Sequence, residues 1–69
     1  MKKAYLERLE KLLDEKFQDA CDTDKRMGNN GDKFLPNNPD FIFYKGMLEA
    51  IAWLGINHTR ESGKHSLFM

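Results

Sequence analysis

The sequence predicts an all-α fold: an antiparallel two-helix hairpin with a long connecting loop and room for a short third helical turn near the C-terminus. Three observations carry that expectation. The 69 residues contain no valine, five β-branched residues in all, and eight leucines, a balance that favours helix over strand. Apolar residues recur at spacings of three and four through 3–21. Residues 38–55 carry helix start and stop signals at both ends.

Residues 3–21 form the first expected helix. Tyr5, Leu6, Leu9, Leu12, Leu13, Phe17 and Ala20 make one apolar stripe. Glu7, Lys11, Glu15 and Asp19 step along the opposite face, with Glu7 ahead of Lys11 in the favourable order. Residues 22–37 form the loop. Asp22, Asp24, Gly28, Asn29, Asn30, Gly31, Asp32, Pro36 and Asn37 are a dense set of turn formers. Phe34 and Leu35 are expected to tuck down as a lid over the core. A short hairpin turning at Asn30-Gly31 is the competing expectation.

The second helix is expected over 38–55. Asn38 suits the cap, Pro39 the first helical position, and Asp40 the positive end of the dipole. Gly55 suits the left-handed residue after the last turn, with Ile56 folding back over Ile51. Residues 56–69 then read as a polar tail, with a helical turn near Thr59–Glu61 broken by Gly63. The whole chain is one small domain.

Composition excludes several function classes. Lys plus Arg and Asp plus Glu are 11 each, so the net charge is zero, unlike a broad nucleic-acid binder or an acidic mimic of one. No apolar run reaches the ~18–20 residues of a membrane span. The single cysteine, Cys21, forms no internal disulfide and fits a cytoplasmic setting. The chain's size and its start at Met1 suit a small accessory reading frame, for instance of a bacterium or its phage.

No catalytic, metal or cofactor constellation emerges. A calcium loop counted from Asp22 fails at Arg26, Met27 and Lys33. Gly63-Lys64-His65-Ser66 lacks the spacing of a phosphate loop. Cys21 with His58 or His65 has no orienting third group.

The second helix is apolar nearly all round, so one neighbour cannot cover it. This points to a non-catalytic interaction module or inhibitor, with Phe43, Tyr44, Met47, Trp53 and Leu54 as the partner-binding residues. The expected partner is a protein, with a second copy of the chain favoured over a foreign one. The competing expectation is a small nucleic-acid-associated regulator. It would use Arg60, Lys64 and His65, together with Lys25, Arg26 and Lys33, against phosphates or acidic side chains.

Overall fold

The computed structural model describes residues 3–29, Gly31 and residues 33–69. The order is α1 (Lys3–Arg26), α2 (Pro39–Trp53), β1 (Asn57–Glu61) and β2 (Lys64–Phe68). The fold is therefore not all-α. The expected tail is an antiparallel β-hairpin, paired from Asn57↔Phe68 to Glu61↔Lys64. It packs on α1 beside α2. The core is Leu13, Tyr44, Ile51, Ile56 and Leu67, with Leu6, Leu9, Phe17, Phe41, Met47 and Leu48 packed against it.

Helix α1 runs five residues beyond the expected end at residue 21. Thr23 and Asp24 have poor helical propensity, yet both are buried and their side chains make tertiary bonds. Packing thus overrides propensity in the last turn. The helix closes with a Schellman motif: Asn29 N–H donates to Asp24 O and Gly28 N–H to Lys25 O, with Gly28 at φ 84°.

Helix α2 has the punctuation its sequence carries. The Asn38 side-chain oxygen accepts from the backbone N–H of Asp40 and Phe41. At the other end Ile56 N–H donates to Ile51 O and Gly55 N–H to Ala52 O, with Gly55 at φ 79°. Ile51 and Ile56 are both buried in the core. Asn38 does more than cap. It is 0% exposed, and its amide donates to Ala20 O at 2.9 Å and to Asp24 Oδ1 at 2.6 Å. One side chain therefore ties the start of α2 to the end of α1.

Asp24 is the hub on the other side of that bond. Its carboxylate also accepts from Asn29 Nδ2 at 2.7 Å and from the Leu35 N–H. Burial alone would raise its pKa, but the bonds from Asn29, Asn38 and the Leu35 N–H hold it below the ordinary carboxylate value. The loop is thereby moored at two points. Phe34 lies stacked on Phe41 at 4.6 Å between ring centroids and edge-on to Phe17 at 5.5 Å, as expected of a lid. Asn30, on which the competing turn rests, and Asp32 lie outside the described residues.

The β-hairpin turns at Ser62-Gly63. Both residues have positive φ, 52° and 79°, the signature of a turn that matches strand twist. Gly63 also lies against Phe17, whose ring would sit 3.5 Å from an added Cβ. The outer edge of β2 is covered by α1. His65 N–H donates to Asp14 Oδ1 and Leu67 N–H to Glu10 Oε2, each at 2.7 Å. Four residues of helix rise about 6 Å, and two residues of strand advance about 6.6 Å. Carboxylates at i and i+4 on the helix thus match edge amides at i and i+2 on the strand. Among the described residues, every buried side-chain polar atom has a partner.

Candidate functional site

The residues of α2 divide between two opposite faces. Tyr44, Leu48, Ile51 and Phe41 point to the core side. At ~100° per residue, Ile42, Phe43, Gly46, Ala50 and Trp53, with Leu54 at the cap, fall on the other side. Ile42 and Phe43 are each 57% exposed, Leu54 63% and Trp53 90%. Gly46 and Ala50 are exposed between them, and nothing lies within 4 Å of a Cβ added at Gly46. No charged side chain of α2 falls within this arc, while from α1 the Lys16 Nζ sits 5.5 Å from the Phe43 ring centroid at its border. Lys45 and Glu49 lie to one side of the arc, and the Lys45 Nζ sits 5.6 Å from the Phe41 ring centroid.

Of the residues the sequence singled out on α2, Phe43, Trp53 and Leu54 therefore share the exposed face. Met47 is half-buried and packs on the core. Tyr44 is buried and offers no surface to a partner. Ile42 completes the stripe, and its place opposite Tyr44 and Ile51 in the helical period is the signal that identifies it.

The basic residues of the tail are also dispersed. His65 is buried, not at the surface, because β2 alternates and turns it inward with Leu67. Its Nδ1–H donates to Asp14 Oδ1 at 2.7 Å, and its Nε2 shares a hydrogen bond with the Tyr44 hydroxyl at 2.6 Å. Burial pushes the Tyr44 pKa up, against a lowering influence from Arg60, so the hydroxyl keeps its proton. This Tyr44–His65–Asp14 chain lines neither of two clefts formed by the described residues. It pins the hairpin to α1 and α2. Lys64 is exposed on β2, and Arg60 lies with its guanidinium 4.6 Å from the Phe17 ring centroid.

The two clefts differ in character. One runs along α1, has a volume of about 540 Å³, and is lined by Tyr5, Leu9 and Leu12 with Arg8, Lys11 and Glu15 at its rim. The other, about 570 Å³, lies between the end of α1, the loop and β1. Phe17, Phe34 and Phe41 form its apolar wall, and Lys25, Lys33 and Arg60 supply cations. Cys21 lines it as well. Burial pushes its thiol pKa up, which leaves it a poor nucleophile.

No protein-family model matches the chain, and no curated protein or solved structure is detectably similar to it. Among the described residues, no group of three or more His, Cys, Asp or Glu side chains is placed to hold a metal ion. No helix there is long and apolar enough to cross a membrane.

Proposed function

We propose that this chain is a small non-catalytic interaction protein that pairs with a second copy of itself through the outward stripe of α2. The observation that carries the reading is Trp53, 90% exposed at the end of an apolar face that also bares Ile42, Phe43 and Leu54. Contiguous exposed apolar patches of several hundred Å² are often functional contact surfaces. A large aromatic side chain offers ~150–250 Å². At their exposures Trp53 and Phe43 supply roughly 300 Å², and Ile42, Ala50 and Leu54 bring the stripe to about 500–600 Å² per copy. Two such faces together reach the lower range of specific interfaces.

Chemistry favours a second copy as occupant. The α2 side chains of the face are apolar and uncharged, with Lys16 of α1 only at its Phe43 border, so the face suits a second copy of itself. Gly46 and Ala50, one turn apart at its centre, let a second α2 cross closely, while Ile42, Phe43 and Trp53 pack to either side of the crossing. Large aromatic side chains such as Trp53 and Phe43 are the kind that dominate binding energy once a patch excludes water.

Trp53 is the one tryptophan of the sequence, so its fluorescence reports this face alone. Emission should shift to shorter wavelength as concentration rises through the association range. Gly46→Leu puts bulk at the crossing while improving helical propensity by up to ~1 kcal/mol. It should abolish the shift with far-UV circular dichroism unchanged. Emission that stays at the exposed position at every concentration rules out pairing through this face.

A further inference from the structure

The cleft between the end of α1, the loop and β1 has no part in the pairing described above. Its wall is preformed. Asn29 Nδ2 donates to Asp24 Oδ2 at 2.7 Å and to Lys33 O at 2.8 Å, and its Oδ1 accepts from Gly31 N–H at 3.0 Å. Together with the Asp24 bonds to Leu35 and Asn38, these fix the loop against α1. The apolar side is an aromatic cluster, with Phe17 edge-on to Phe34 and Phe34 stacked on Phe41.

Cations outnumber acids among the described lining residues, although the chain as a whole is neutral. Among the described lining residues, Lys25, Lys33 and Arg60 stand against Asp24 alone. The Asp24 carboxylate is turned into its own hydrogen bonds. Among the described residues none of the three cations is ion-paired. Arg60 is held by stacking at 4.6 Å over the Phe17 ring and by its approach to the Tyr44 hydroxyl, and a guanidinium has five N–H donors, more than that one contact uses. A guanidinium held this way forks a carboxylate or phosphate and also stacks on a flat ring. The volume of about 570 Å³ falls in the range of small-molecule sites.

We propose that this cleft binds a small anion carrying a planar aromatic or heteroaromatic ring. The ring lies against the Phe17–Phe34–Phe41 wall and Arg60, and a phosphate or carboxylate is held by Lys25, Lys33 and Arg60. The site demands both parts of the ligand, because neither the aromatic wall nor the cations alone define the cleft.

The test is a titration of the isotope-labelled full chain, followed by amide chemical shifts. The probes are adenosine 5′-monophosphate, 2-naphthoate, adenosine and inorganic phosphate. At least one of the two ring-bearing anions should bind tenfold or more tighter than adenosine and phosphate, shifting Cys21, Asn29, Gly31 and Phe34. Lys33→Glu, on an exposed loop residue, should weaken that binding at least tenfold, and Arg60→Ala should do the same. Phosphate binding as tightly as the ring-bearing anions would show an adventitious ion only and overturn the proposal. So would adenosine binding as tightly, shifts confined to other residues, affinity unchanged in both variants, or no shift up to millimolar probe. If adenosine monophosphate alone succeeds, the anion recognised is a phosphate; if naphthoate alone, a carboxylate.

Discussion

Replacing Asn38 with alanine removes four hydrogen bonds at once, two accepted by its oxygen and two donated by its amide. Loss of the cap alone costs about 1 kcal/mol. The amide bonds add about 1 kcal/mol or more each, because their partners stay buried behind the 0% exposed side chain. The expected loss is about 2–4 kcal/mol. A chain of 69 residues has roughly 4–10 kcal/mol in total. Asn38→Ala should therefore lower the midpoint of thermal unfolding by roughly 10–30 °C, with an unchanged slope in urea. Asn38→Ser separates the two roles. Its hydroxyl restores the cap but cannot reach both Ala20 O and Asp24. It should recover about 1 kcal/mol and no more. A serine variant as stable as the parent would show that Asn38 is only a cap, and the inter-helix tie would be refuted.

Other perturbations have defined signs. The folded-state pKa of Asp24 lies below its unfolded value. Its contribution is therefore complete above about pH 4 and is lost as pH falls through the folded pKa. Acid unfolding followed by circular dichroism should show a limb below pH 4 that Asp24→Asn flattens; an unaltered limb would remove Asp24 from the account. Tyr44→Phe leaves His65 Nε2 buried without a hydrogen-bond partner and should cost about 1–3 kcal/mol in urea unfolding. Gly63→Ala forces a side chain into a positive-φ turn position 3.5 Å from the Phe17 ring, and should destabilise by about 1 kcal/mol or more. Ser62→Asn, which favours the left-handed conformation at φ 52°, should be neutral or slightly stabilising. The reverse order of these two turn variants would argue against the hairpin.

The helices were legible because their signals are local. The cap at Asn38, Pro39 at the first position and the Gly55-Ile56 closure are read within a few residues of one another, and all occur. The end of α1 was not legible, because Asp24 is helical for reasons that lie 11 and 14 residues away, at Leu35 and Asn38. The hairpin was hidden for a similar reason. β1, Asn57–Glu61, is exposed throughout and shows no apolar alternation. What holds the hairpin is a two-residue Ser62-Gly63 turn and the bonds from β2 amides to the α1 carboxylates of Glu10 and Asp14. The Ser-Gly dipeptide was the available signal, and it reads equally well as a helix breaker. Missing the strand also misplaced His65, since only the period of two turns it inward. The exposed face of α2 was half legible: the excess of apolar residues is plain in the sequence, but only the packing of Tyr44 and Ile51 decides which arc is left bare.

Self-association through that bare arc is tested most directly by solution mass, measured by light scattering on a sizing column over a tenfold concentration range. The account predicts a mass approaching twice 8.1 kDa at the higher concentrations, and 8.1 kDa for a folded Trp53→Asp variant throughout. A parent chain that stays at 8.1 kDa across the range, or a Trp53→Asp variant that associates as the parent does, would contradict it.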